Sequence, residues 1–182
     1  MKKIIIVIGM LVVMGFMLFG CARAPWIIKS TPLMQTVNND LYSIQLLPTA
    51  ENRYSFTAFE LTIENKTNND IDVIWDRTYY LNEGKTSGGF MNEGIVYKDR
   101  NNPRSPDVVF PKIKFQKTIM PNILVYFSAG KIAWYHDQMP DGENGIYITL
   151  IVNGKEVREK LVVNLSAKYG PTPPNIFQRL MN

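Results

Sequence analysis

Residues 145–165, GIYITLIVNGKEVREKLVVNL, decide the fold. Two alternating runs flank Asn153-Gly154, a pair suited to a type I′ turn because both of its central residues need positive φ. A two-residue loop sets Val152 opposite Lys155, so Leu150 faces Val157 and Ile146 faces Leu161 on one inward face. Glu159 then falls opposite Ile148 and breaks that face. Either this end is wet, or a bulge shifts the register.

Upstream, the same period of two recurs. Tyr42, Ile44 and Leu46 alternate with Ser43 and Gln45; Phe59, Leu61 and Ile63 alternate with polar or small residues. After the turn cluster Asn65-Lys-Thr-Asn-Asn-Asp70, residues Ile71, Val73 and Trp75 resume on one face, which predicts a hairpin with the preceding strand. Further strands are expected at Thr78–Asn82, Ile95–Lys98, Val108–Phe110, Ile113–Ile119, Ile123–Ser128 and Ile132–Tyr135, with Ala129-Gly130 turning between the last two. The one helix-period run, Asn175–Met181, is too short and too late to define the fold. The expected class is therefore all-β, an antiparallel β-sandwich, immunoglobulin-like by analogy of architecture alone.

Domain organisation follows from composition. Residues 1–20 form a leader, 21–40 a tether with two prolines and no sustained period, 41–166 the sandwich, and 167–182 a proline-rich tail. Within the tether, Trp26, Ile27 and Ile28 either meet a membrane interface, where Trp is favoured, or dock on the domain. The leader has a basic start at Lys2 and Lys3, an apolar and glycine run from Ile4 to Phe19, then Gly20 and Cys21. That order is a secretory signal, and the run is shorter than the roughly 20 residues that span a bilayer.

Leu18-Phe19-Gly20-Cys21 resembles the lipobox of bacterial lipoproteins. The resemblance covers the leader only. It implies cleavage between Gly20 and Cys21, an S-diacylglycerol thioether on Cys21 and an added acyl group such as palmitate. Two or three chains, at about 0.8 kcal/mol per buried methylene, make the attachment stable. Membrane lipid is thus the first expected partner. Ala22 after the cysteine, rather than Asp, implies the outer membrane, facing the periplasm, in a Gram-negative cell.

Removing the leader leaves roughly 160 residues, the length of one domain, and lowers the net charge from +4 by the loss of Lys2 and Lys3. Nothing in that charge balance marks a nucleic-acid binder. Cys21 is the only cysteine, so once acylated it leaves no thiol for a disulfide, a metal site or a nucleophile.

Candidate chemistry is sparse. Gly84-Lys85-Thr86 is not a phosphate loop, because Tyr79 stands where the GxxxxGK[ST] pattern needs glycine. His136 is the only histidine; as a catalytic base it would need a serine such as Ser128 or Ser105 beside it. Asp99, Asn101, Asn102 and Asp107, or Asp141, Glu143 and Asn144, offer calcium-type oxygens without EF-hand spacing. Turns want the same residues. No metal, cofactor or catalytic set is assigned. Binding residues concentrate on loops, which singles out the stretches 83–94 and 99–107, with Phe90, Asp99, Arg100 and Arg104 as candidate contacts. Trp134 and Tyr135 form a candidate aromatic platform for a sugar, although adjacent strand residues point to opposite faces. The sequence thus points to a lipid-held, non-catalytic sandwich with an accessory or scaffold role towards a protein partner in an envelope assembly. The alternatives are a glycan or cell-wall binding module and, third, an envelope hydrolase using His136.

Overall fold

The computed structural model describes residues 26–50, 54–92, 96–99 and 101–169. The leader with Gly20 and Cys21, the tail beyond residue 169 and Arg100 lie outside the described residues. The strands are β1 (Trp26–Thr31), β2 (Gln35–Asn38), β3 (Tyr42–Thr49), β4 (Ala58–Asn65), β5 (Ile71–Val73), β6 (Tyr79–Asn82) and β7 (Lys85–Thr86). There follow β8 (Phe90–Asn92), β9 (Asp107–Val109), β10 (Lys114–Pro121), β11 (Val125–Ser128), β12 (Ala133–His136), β13 (Gly142–Val152) and β14 (Lys155–Tyr169). The only helical pieces among the described residues are three single 3₁₀ turns, and none is long and apolar enough to cross a membrane.

The protein is all-β. One sheet runs β1-β14-β13-β5-β9, with β6 also paired to β13 and β7 to β6; the second runs β2-β3-β4-β10-β8. The two pack as an antiparallel sandwich, immunoglobulin-like only by analogy. Ile71, Val73, Ile146, Ile148, Leu150 and Leu161 of the first sheet meet Ile44, Leu46, Phe59, Leu61, Ile63 and Ile119 of the second, all fully buried in one core.

The β13–β14 hairpin has the expected register throughout, with Val152 opposite Lys155, Leu150 opposite Val157, Ile148 opposite Glu159 and Ile146 opposite Leu161. Asn153 (φ 51°) and Gly154 (φ 74°) supply the two positive-φ residues of the turn. No bulge interrupts the ladder at Glu159. Its carboxylate stays on the inward face and accepts a hydrogen bond from the Tyr42 hydroxyl of β3 at 2.6 Å. A polar partner from the opposite sheet takes the place of apolar packing.

Several expectations are corrected. β4 and β5 do not form a hairpin; they lie in different sheets, β4 between β3 and β10, β5 between β13 and β9. Asn65 causes the crossing. Fully buried at the end of β4, it donates Nδ2 to Asn69 O (2.7 Å) and to Val109 O of β9 (2.8 Å), while its Oδ1 accepts from the Thr67 backbone N–H and hydroxyl. Every polar atom of that side chain is satisfied, so the turn becomes a corner between sheets. The stretch read as a tether contains β1 and β2, one in each sheet, so Ile27 and Ile28 are part of a strand docked beside β14. Of the strand expected at Ile95–Lys98, Ile95 lies outside the described residues and Tyr97 and Lys98 lie in a 3₁₀ turn over Tyr97–Asp99; Ile123 and Leu124 lie in another, Asn122–Leu124, ahead of β11. Within the glycine-rich stretch 83–94, Glu83 (φ 49°) and Gly84 (φ 73°) make a two-residue turn joining β6 to β7, and β8 follows.

A break in the first sheet positions the site. β5 and β6 both lie along β13, separated by a 3₁₀ turn over Trp75–Arg77 that tucks Trp75 into the core. Trp75 keeps the buried phase of Ile71 and Val73 while the ladder opens. Unpaired buried backbone groups are costly; here Ile74 N–H still donates to Thr149 O (2.9 Å), and the Thr149 hydroxyl donates to Arg77 O (2.6 Å). The Thr78 hydroxyl donates to Ile74 O (2.8 Å) and accepts from Thr149 N–H (3.2 Å). Two threonines thus fill the gap.

Candidate functional site

The Trp75–Arg77 turn forms one wall of a surface cleft. Opposite stand Asn101, Asn102 and Arg104 from the loop before β9, and Asn122 from the turn after β10; Gly89 and Phe90 close the end. Trp75, Thr78 and Phe90 are buried and form its floor, whereas Asp76, Tyr79, Asn101 and Asn102 are exposed at its rim.

The rim is organised by hydrogen bonds. Asp76 Oδ1 accepts from the Arg104 backbone N–H at 2.9 Å, which ties the two walls together. The Arg104 guanidinium reaches Asn92 Oδ1 at 3.3 Å. Burial pulls the Arg104 pKa below its ordinary value, and the neighbouring Asp76 carboxylate opposes that shift. Asn122 donates its backbone N–H to Gly89 O (3.0 Å) and its Nδ2 to Asn101 Oδ1 (3.0 Å). Gly88 adopts a positive φ (83°) that favours glycine, and a Cβ there would displace the Asn122 amide, whose Oδ1 lies 2.6 Å from that point. The outcome is a mainly polar cleft in which amides, one carboxylate and one guanidinium ring the buried Trp75, Thr78 and Phe90.

Of the residues singled out from sequence, Phe90 and Arg104 come together here. Phe90 does so from a strand, not from a loop: it is 3% exposed and packs edge-on against Phe59 (6.4 Å) and Tyr80 (6.0 Å). Asp99 is adjacent, its Oδ1 accepting from Asn102 Nδ2 at 3.3 Å and its carbonyl from Asn102 N–H at 3.0 Å. Sequence reasoning missed Asp76, Asn122 and the rim position of Tyr79. Only the polar phase of Asp76 beside Trp75 hinted at it; Asn122 carries no local signal.

Trp134 and Tyr135 lie elsewhere, on β12, which pairs with β11 as a separate two-stranded sheet. They point to opposite faces, Tyr135 stacked on Tyr126 (6.0 Å, 26°) and Trp134 tilted against Phe127 (5.4 Å) and edge-on to Tyr97 (6.3 Å). Each ring thus has an aromatic partner on its own face. His136 is opposite Val125 at the base of that hairpin, whereas Ser128 is opposite Ala133 at its tip and on the other face. Three residue steps, about 10 Å, separate the two positions along the ribbon, which precludes a Ser128–His136 pair.

Three of the calcium-type side chains hold hydrogen bonds within the fold. Asp107 Oδ2 accepts from Trp75 Nε1 and from Lys117 Nζ, Asp141 Oδ1 accepts from Ala167 N–H, and Asn144 is buried with its Oδ1 on the Tyr80 hydroxyl. Among the described residues no three His, Cys, Asp or Glu side chains gather as a metal site would need. The chain matches no protein-family model, no curated protein and no solved structure.

Proposed function

We propose that the protein is a bacterial lipoprotein, held at the envelope membrane by a diacylglycerol-modified Cys21, whose sandwich acts as a non-catalytic accessory or scaffold subunit. In a Gram-negative cell it belongs to the outer membrane and faces the periplasm. The observation that carries the binding role is the convergence of four separate segments on one cleft, its walls tied by the Asp76–Arg104 hydrogen bond. Exposed polar side chains around the buried rings of Trp75 and Phe90 suit a polar segment of a partner protein. The test is pull-down and crosslinking from native membranes with wild type, Tyr79→Ala and Asn102→Ala. A partner captured by wild type and weakened about tenfold in the variants, roughly 1.4 kcal/mol, supports the role; equal capture by all three removes the cleft from it. Membrane release of Cys21→Ser tests the anchor separately.

A second reading, a glycan or cell-wall ligand, draws on the same rim. Asn101, Asn102, Asn122 and Asp76 are planar hydrogen-bonding groups suited to sugar hydroxyls, and Tyr79 offers a ring for stacking. Peptidoglycan or glycan-array binding that disappears in Tyr79→Ala, with no protein captured, would favour this ligand. Loss in Trp134→Ala or Tyr135→Ala alone would move the site to the β11–β12 hairpin.

A further inference from the structure

The β11–β12 hairpin belongs to neither main sheet. Directly opposed residues share a face, so Tyr126 and Tyr135 cover one side of the ribbon and Phe127 and Trp134 the other. Val125 is buried at the base, where Asp137 N–H donates to Leu124 O at 2.8 Å. Beyond that base Tyr126 (44% exposed), Phe127 (48%) and Ile132 in the turn (83%) are open to solvent, whereas Trp134 and Tyr135 are half-buried. From Ile123 to His136 there is no acidic residue, and the one fixed cation, Lys131, holds its ammonium 5.3 Å from the Tyr135 ring centroid.

A flat protein partner covers one face of a ribbon. A ribbon with aromatic rings on both faces and an isoleucine at its tip fits a medium that surrounds it. We infer that the β11–β12 hairpin dips into the headgroup region of a lipid membrane containing anionic lipid. Amphipathic Tyr and Trp rings favour that layer, and Lys131 can extend its charge to lipid phosphates while its stem stays among the rings. β11 and β12 form an open two-stranded ribbon, and among β structures only closed barrels cross hydrocarbon. Insertion therefore stops at the interface. This contact goes beyond a lipid anchor: one acylated residue tethers a domain, whereas a second contact fixes which side of it faces the bilayer.

The test places a photoreactive diazirine amino acid at position 132 of the full chain, bound to vesicles of phosphatidylglycerol mixed with phosphatidylcholine. Position 153, in the β13–β14 turn, serves as the comparison. Lipid adducts at 132 several-fold above those at 153, and several-fold above those on pure phosphatidylcholine, are expected; Lys131→Glu should remove the preference for anionic lipid. Lipid adducts at 132 no more abundant than at 153, or adducts mainly to a second copy of the chain, would overturn the inference. So would quenching of the hairpin by lipids brominated at the bilayer centre rather than near the headgroup. Because Ile132 is almost fully exposed, Ile132→Asp should keep the wild-type Tm, and unchanged lipid labelling from position 131 in that variant would also count against the hairpin.

Discussion

The Tyr42 hydroxyl of β3 donates to Glu159 of β14 at 2.6 Å and so links the two sheets across one margin of the core. Tyr42 is 3% exposed, and Glu159 occupies an inward position that the strand alternation reserves for an apolar side chain. Tyr42→Phe leaves the carboxylate half-buried without this donor. A hydrogen bond to a charged group contributes about 1.5–3 kcal/mol, so a Tm fall of roughly 4–9 °C is expected for a domain of this size. Glu159→Gln, which keeps an acceptor, should cost less. Thermal unfolding of Tyr42→Phe, Glu159→Ala and the double variant gives the coupling; additive losses would mean that the bond contributes nothing.

The same phenol makes stability fall in alkali. Burial raises the Tyr42 pKa above its ordinary 10.0, with Glu159 adding to the rise, and burial alone raises that of Tyr80 further. Because both folded-state values lie above the unfolded one, their contribution is fully present below about pH 10 and is lost as pH climbs through the folded values. Urea unfolding from about pH 8 upward should show stability declining beyond about pH 10, with a shallower decline in Tyr42→Phe and Tyr80→Phe. Parallel curves for wild type and variants would refute the assignment.

The opposite margin has its own polar link. Lys117 sits on the inward face of β10, opposite Leu61, and pairs with Asp107 of β9; Asp107 also accepts from Trp75 Nε1 at 2.8 Å. The Lys117 ammonium lies 5.5 Å from the ring centroids of Trp75 and of Phe115. Asp107→Ala strips Trp75 and Lys117 of a shared partner at once. A loss of about 1–3 kcal/mol is expected, together with a shift in tryptophan emission. Since Trp75 also floors the cleft, partner capture should weaken in the same variant; unaltered Tm and emission would show that the link is dispensable.

What could be read from the chain follows the range of the forces involved. The β13–β14 register was legible because Asn153-Gly154 fixes it locally, down to the Ile148–Glu159 mismatch, whose remedy was not legible because Tyr42 is more than a hundred residues away. The β4–β5 crossing escaped for the same reason: Asn65 looks like any turn asparagine until Val109 O is placed beside it. β1, β2 and β7 are short and lie at or near sheet edges, where one-sided burial leaves a weak alternation. Of the cleft, Phe90 and Arg104 were visible as loop candidates, but Asp76 and Asn122 belong to it only through the break in the first sheet.

Gly145 tests how tightly the central hairpin is closed. It pairs with Val162, and a Cβ built on it would stand 2.1 Å from Leu161 O and 2.9 Å from Val162 Cα, both backbone atoms. No rotamer change relieves that contact, so Gly145→Ala must displace β14 where Ile146 and Leu161 meet in the core. Overpacking of this kind costs about 1–3 kcal/mol, a Tm fall of roughly 3–9 °C. Gly130, whose Cβ would meet nothing within 4 Å, is the matched comparison, and Gly130→Ala should stay within about 0.5 kcal/mol of wild type. Thermal unfolding of the two variants side by side decides the point: if Gly145→Ala unfolds no earlier than Gly130→Ala, the strands have slack at that pair, and the close approach does not limit the fold.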